Sequence, residues 1–255
     1  MTTTRRPARV RYGFAQVARM EWIRLRTLRS TWWTLAITVV AAVGISVAVG
    51  ANTKNGSGDL TNNALGGVAV GLLLTGVLGV LVMTAEYSSG MIRTTLAAAP
   101  DRRLLLAAKA AVFGTTALVV GEIASFTAFL GGTAALPATI TGPSLGDPGV
   151  LRAVLMSGAG YCLIGLIGLG LGAIIRHSPA AIAVLVGGVY VAAQVVAAVA
   201  NSVIGYVPVS IVANSISTVQ RLPHTPPPWA GLAVLVLYAA VALGIGGALL
   251  ARRDA

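Results

Sequence analysis

Long apolar stretches dominate this chain and constrain its fold more than any other feature of the sequence. There are six, and each has about the 20 residues that a helix needs to cross roughly 30 Å of hydrocarbon. They cover residues 33–50, 64–84, 108–136, 151–175, 179–200 and 229–250. A β-barrel would show short alternating segments instead, and an isolated strand cannot satisfy its backbone in lipid. The sequence therefore predicts an all-α membrane protein with six transmembrane helices in one domain, residues 1–255.

Composition supports this fold class. Of 255 residues, 56% are hydrophobic and 10% are charged, with a mean hydropathy of +0.85. A soluble domain carries about a quarter charged residues. The longest segments between spans are 1–32, 85–107 and 201–228, all shorter than the roughly 50 residues of a small domain. We therefore expect any large catalytic or energy-coupling module to lie on another polypeptide.

The basic residues are distributed unevenly along the chain and indicate its orientation. Fifteen of the 18 basic residues lie on one predicted side of the membrane. They precede the first span, lie in or next to the loop after the second span, follow the fourth span, or end the chain. The other side keeps Lys54, Arg152 and Arg221. Because basic residues near span ends stay on the cytoplasmic side, the sequence predicts both termini in the cytoplasm. This topology also accounts for the net charge of +11 without nucleic acid as a partner.

The sequence does not predict a cleaved signal peptide, a disulfide, a metal site or a nucleotide-binding site. The first span follows eight arginines and is longer than a signal-peptide core, so it is interpreted as an uncleaved anchor. Cys162 is the one cysteine and gives neither a disulfide framework nor a metal pair. The sequence contains no P-loop pattern, so the chain itself is not expected to bind a nucleotide or to act as an enzyme.

The N-terminal segment has helical periodicity. Arginines interrupt or flank an apolar stripe at Phe14, Ala18, Trp22, Leu25, Leu28 and Trp32. This pattern predicts an amphipathic helix in the membrane surface, with Trp22 at headgroup depth and Arg26 and Arg29 near anionic lipid. A charged flank that only fixes the topology is the alternative, and docking of a partner on the helix is a further possibility.

The loop after the second span carries the most specific pattern. It reads EYSSGMIRTTLAAAPDRR from Glu86 to Arg103, and RMEWIRLRTLRSTWW runs from Arg19 to Trp33. Together the two segments resemble the permease subunits of type 2 ABC exporters. In that family the first cytoplasmic loop typically has a Glu-aromatic pair, a Gly, an Ile-Arg, a Thr-Leu and a Pro-x-Arg. The matching positions, with Lys109 opening the third span, are Glu86, Tyr87, Gly90, Ile92, Arg93, Thr95, Leu96, Pro100 and Arg102.

The resemblance implies a coupling element. In such exporters this loop and the N-terminal helix rest on a separate ATP-binding subunit that carries ATP and magnesium. Closure of two such subunits rocks two permease copies, identical or different, between inward and outward access. Arg93 and Arg102 would then pair with acidic groups of that partner. Glu86 has two interpretations: a docking contact, or a structural brace that pairs with Arg93 or caps a helix in its own chain.

Glu122 is an ionisable residue near the middle of the third span. A charge at that depth costs roughly 3 kcal/mol, which the apolar residues of the span can offset. Three roles are therefore open: a hydrogen bond between helices, a cavity-lining or substrate-binding group, and proton coupling.

Two glycines of the fourth span predict close helix packing. Gly168 and Gly172 form a GxxxG pair, which is typical of such packing, within the bundle or at a dimer contact.

The external segment 201–228 contains an apolar run from 207 to 216. In the family it resembles, the last external connection often holds short helices that dip back into the membrane and cap the translocation path, and a plain surface loop is the alternative.

Three classes of function follow. The leading prediction is a permease subunit of an ATP-driven exporter in a bacterial plasma membrane. A secondary transporter or channel would show an inverted repeat or several intramembrane charges, and neither is seen. An intramembrane enzyme would need paired catalytic groups, whereas His177 and His224 fall on opposite faces and Glu122 stands alone.

Overall fold

The protein is an all-helical bundle in the residues that its computed structural model describes, which are 13–54, 56, 58–91, 101–191, 195, 204–218 and 225–252. No β-strand occurs among them. The α-helices are α1 (Phe14–Thr27), α2 (Arg29–Ala51), α3 (Leu60–Ala64), α4 (Val68–Ser88), α5 (Arg102–Ala134), α6 (Val150–Ile175), α7 (Ser178–Leu185), α8 (Pro208–Ile216) and α9 (Pro228–Arg252). A π-helix follows α7 at Val186–Val191, and a 3₁₀ turn precedes α8 at Ile204–Tyr206.

Five of these helices, α2, α4, α5, α6 and α9, are long and apolar enough to cross a membrane. They match five of the six predicted spans to within a few residues at most ends, and α5 begins six residues earlier than predicted. The predicted span 179–200 is not among these five long helices. It begins as α7 and continues as the π-helix, while most of the residues beyond 191 lie outside the described part. Gly187 and Gly188 fall in the π-helix, where the low helix propensity of glycine favours a change of register.

Helix α6 lies at the centre of the bundle, in contact with α4, α5, α8 and α9. Its glycines allow close approach to α4. A Cβ on Gly168 would overlap the carbonyl oxygen of Gly76, and one on Gly172 would lie 2.9 Å from that of Val80. Small residues at such positions let two helix backbones pack directly, which is the main source of helix association in lipid.

Helix α1 lies alongside the first third of α5. Val17 packs with Leu105 and Ala108, and Glu21 contacts Lys109 one turn further along. The helix ends where Leu28 adopts an extended backbone conformation, and α2 begins at the next residue. The N-terminal segment is therefore helical from Phe14 to Thr27, and it packs on the bundle along its length.

Helix α8 is inserted among the other helices. Val212 packs against Gly160, ten residues into α6, which corresponds to a depth of about 15 Å. The hydroxyl of Tyr238, ten residues into α9, donates to the Tyr206 carbonyl at 3.0 Å. Ile211 and Val212 are buried. The surface-loop alternative is therefore wrong for residues 208–216, which form a short helix within the bundle.

The charged residues are divided between the two ends of the bundle. We call the end where α4, α6 and α9 finish and α5 begins the basic end. Its described basic residues are Arg19, Arg24, Arg26, Arg29, Arg102, Arg103, Lys109, Arg176 and Arg252, whereas those of the opposite end are Lys54 and Arg152. The uneven charge along the sequence thus becomes an asymmetry between two ends of the folded chain.

Candidate functional site

Four charged side chains from three helices meet inside the basic end. We call Glu21, Arg24, Glu86 and Lys109 the ion cluster. The Nη1 of Arg24 lies 2.7 Å from Oε1 of Glu86, and Nζ of Lys109 lies 2.5 Å from Oε2 of Glu21. Lys109 also pairs directly with Oε1 of Glu86. Two cations and two carboxylates balance, so the ion cluster has no net charge.

Burial makes the ion cluster strong as a structural link. The side chains of Glu21, Glu86 and Lys109 are 4%, 1% and 3% exposed, and Arg24 is 24% exposed. A buried charge is tolerated only when it is paired, and removing one partner of such a pair costs about 3–5 kcal/mol. The ion cluster therefore ties α1 to the end of α4 and the start of α5.

The loop with the predicted coupling residues joins these two helices. Ile92, Arg93, Thr95, Leu96 and Pro100 lie outside the described residues. Gly90, in the turn that follows α4, has a φ of +69°, a left-handed conformation that favours glycine.

Glu86 makes the contacts of a brace within its own chain. Of its two predicted partnerships, the one with Arg93 falls outside the described residues, and the observed partners are Arg24 and Lys109. Its carboxylate points into the bundle because the cations that neutralise it come from α1 and α5.

A second set of contacts fixes the end of α9. Arg102 donates from Nη1 to the Leu250 carbonyl at 2.9 Å, and Arg176 donates from Nη2 to the Leu249 carbonyl at 3.4 Å. The guanidinium of Arg176 also lies 5.1 Å from the centre of the Tyr87 ring, at cation–π distance. Cations beside the last carbonyls of a helix are stabilising. Arg102 and Tyr87, both predicted coupling residues, thus connect α5 and α4 to the other helices of this end.

The predicted interfacial residues lie on the outer surface of this end. Trp22 is 43% exposed, and Arg26 and Arg29 are also exposed. The Trp32 indole donates to the Arg26 carbonyl at 3.2 Å, which holds the first turn of α2 against the end of α1.

Glu122 is half-buried on α5 and faces α6. Its carboxyl group lies directly against Gly158, where a Cβ would overlap it. The Oε2 atom is buried and makes no hydrogen bond within the described residues. The nearby Tyr161 is 1% exposed, crosses Gly121, and ends with its hydroxyl beside Gly71. That hydroxyl also has no described partner, so Glu122 and Tyr161 leave unsatisfied polar atoms inside the bundle.

Sequence reasoning missed three members of the ion cluster as a site. Arg24 was treated as part of a charged flank, Lys109 as the start of a span, and Glu21 was given no role. The sequence did contain a signal that Glu21 has a buried partner. Glu21 is the only acidic residue before Asp59, and it occupies the same helical face as the buried Val17 and Leu25.

Comparison of the sequence with models of protein families and with curated proteins finds no match. Within the described residues there is also no group of three or more His, Cys, Asp or Glu side chains that could hold a metal ion.

Proposed function

We propose that this chain is the membrane-spanning permease subunit of an ATP-driven exporter. It works as a dimer, either with itself or with a sister permease, and forms the translocation path between the two copies. Two separate ATP-binding subunits bind at the basic end and hydrolyse ATP with magnesium. The basic end lies in the cytoplasm of a bacterium, and the chain itself carries no catalytic site.

The observation that carries this proposal is the ion cluster. A coupling surface must transmit force from a soluble partner to the membrane helices without bending. Glu21 and Arg24 of α1 are held to Glu86 of α4 and Lys109 of α5 by buried ion pairs. The loop 89–101 leaves from one of these helices and returns to another. Movement of this loop or of α1 is therefore passed to α4 and α5 together.

The predicted sequence pattern supports the same assignment. The residues after Glu86 resemble the coupling loop of type 2 ABC exporters, and the helices on either side of this segment have their adjoining ends at the basic end. Electrostatic complementarity with an acidic socket on a partner would fix the docking position and raise the association rate.

The test is purification of the full chain from its own membranes in a mild detergent, with identification of proteins that accompany it and an assay of ATP hydrolysis. We expect an ATP-binding subunit in equal amount. Arg93→Glu, in the loop, should loosen this subunit and lower the ATPase activity. Lys54→Glu, an exposed residue of the opposite end, is the matched control and should change neither.

A chain that is purified alone and without ATPase activity would overturn the proposal. The secondary transporter or channel would then be the function to pursue.

A further inference from the structure

An apolar groove of about 680 Å³ runs along the outside of the bundle between α1 and α5. We call it the α1–α5 groove. Arg19, Trp22 and Trp32 line one side, and α5 lines the other from Ala111 to Ile123. Thr115 donates its hydroxyl to the Ala111 carbonyl at 2.8 Å. Thr116 donates in the same way to the Val112 carbonyl at 2.9 Å, so both hydroxyls are satisfied within α5 and the α5 wall of the groove is largely apolar.

The length of the groove matches one leaflet of a bilayer. From Ala111 to Ile123 the helix rises about 18 Å. Half of a hydrocarbon core of roughly 30 Å is about 15 Å. In a bilayer centred on α5, the groove would extend from near the basic end to about the middle of the hydrocarbon, the depth that an acyl chain of that leaflet covers.

The charge at the groove identifies the kind of lipid. Arg19 lines its end nearest the basic end, is exposed, and forms no ion pair within the described residues. Trp22 and Trp32 are 43% and 41% exposed beside it. Tryptophan is enriched at headgroup depth, and a phosphate at that depth is the natural partner of an arginine. A second protein helix would need a wider apolar face, whereas a single acyl chain fits a groove of this volume.

We propose that the α1–α5 groove is a binding site for one anionic phospholipid. One acyl chain lies along α5 from Ala111 to Ile123, and the phosphate binds Arg19. Since α1 also carries half of the ion cluster, the lipid is held against the element that we propose to contact the ATP-binding subunit. The site itself depends only on the membrane-embedded chain, not on the exporter assignment.

The experiment uses the purified full chain in nanodiscs of phosphatidylcholine that contain a small fraction of phosphatidylglycerol with a photoreactive acyl chain. After irradiation, the labelled peptides are identified by mass spectrometry. We expect labelling concentrated on residues 111–123 and on Trp22 or Trp32. It should fall when unlabelled phosphatidylglycerol is added, and fall less when the same amount of phosphatidylcholine is added.

Variants separate the two parts of the site. Thr115→Trp should fill the groove and abolish labelling of residues 111–123, and Ala111→Leu should reduce it with a smaller change in volume. The matched control is Thr127→Trp, an exposed threonine of the same helix beyond the groove. Arg19→Ala should lower the preference for the anionic lipid roughly fivefold, whereas Arg26→Ala, which does not line the groove, should leave it unchanged.

Labelling spread evenly around α2, α5 and α9 would mean annular lipid only and would overturn the proposal. Equal losses of labelling in Thr115→Trp and Thr127→Trp, measured on preparations that remain monodisperse, would also overturn it. No ATP-binding subunit is present in this assay, so its failure does not bear on the exporter proposal, and a negative purification of the complex does not bear on lipid binding.

Discussion

Lys109 holds the charge balance of the ion cluster, because it pairs with the carboxylates of both Glu21 and Glu86. Lys109→Met keeps most of the side-chain volume but leaves Glu21 buried without a cation. We expect a loss of about 3–5 kcal/mol in stability. Thermal unfolding in detergent, followed with a thiol-reactive dye that reports exposure of Cys162, should show a clear fall in Tm.

Two further variants test whether charge is the cause. Arg103→Met removes an exposed cation from the first turn of α5, away from the ion cluster, and should leave the Tm unchanged within error. The double variant Glu21→Gln with Lys109→Met retains the Arg24–Glu86 pair and no unpaired charge. It should therefore be more stable than Lys109→Met alone, since the effects of contacting residues are not additive. A double variant less stable than the single one would contradict this account.

The individual residues of the ion cluster were only partly predictable. Position 21 falls on the buried face of α1 by helical periodicity, so an acid there signals a buried partner. The identity of that partner depends on how α1 lies against α5, and no spacing within the sequence fixes that. The same holds for Glu122. Its position near the middle of a span could be predicted from the sequence, but its contact with Gly158 could not.

At the scale of elements, Gly168 sets the distance between α4 and α6. A methyl group there would overlap the Gly76 carbonyl, whereas one on Gly244 of α9 meets no atom within 4 Å. Gly168→Ala should therefore destabilise the bundle by about 1–3 kcal/mol through overpacking. Gly244→Ala, the matched control, should be neutral or stabilising by up to about 1 kcal/mol, because alanine is the better helix former. Comparing their thermal unfolding in detergent checks this, and equal effects would mean that the α4–α6 contact is not close.

The second prediction at this scale concerns the end of α8. Asp59 caps α3 and accepts hydrogen bonds from the Thr218 amide at 2.6 Å and the Ser217 hydroxyl at 2.9 Å. Asp59→Ala should release this connection and raise amide exchange in residues 208–218, with little change in exchange of α6. Asp147→Ala, an exposed acid in a loop of the same end, is the control. Unchanged exchange in both variants would show that Asp59 does not hold α8.

The long helices were predictable because runs of about 20 apolar residues have few other stable forms in lipid. The predicted span 179–200 is confirmed only in part, as α-helix to Leu185 and π-helix from Val186 to Val191, because hydropathy records apolar length but not this change of helix type. The insertion of α8 depends on tertiary contacts with α6 and α9, so the sequence left a surface loop open as an alternative to short helices.

At the scale of the whole molecule, the division of charge predicts which residues face the outside of the cell. In a Cys162→Ala background, Lys54→Cys should react with a membrane-impermeant thiol reagent added to intact cells. Arg103→Cys should react only after the membrane is opened. The reverse pattern would place the basic end outside and would contradict the proposed topology, while full-length expression of both variants serves as the control.

The length of α5 has a consequence for the bilayer around the molecule. Its 33 residues extend about 50 Å, roughly 20 Å more than the hydrocarbon core. With this excess shared between the two ends, Lys109, seven residues into the helix, falls at the boundary between headgroups and hydrocarbon. A thicker bilayer moves that boundary past the ion cluster and removes water from Arg24, its one partly exposed member, so that separating the Arg24–Glu86 pair costs more. Membrane thickness would then set how firmly α1 is held, without any change in sequence.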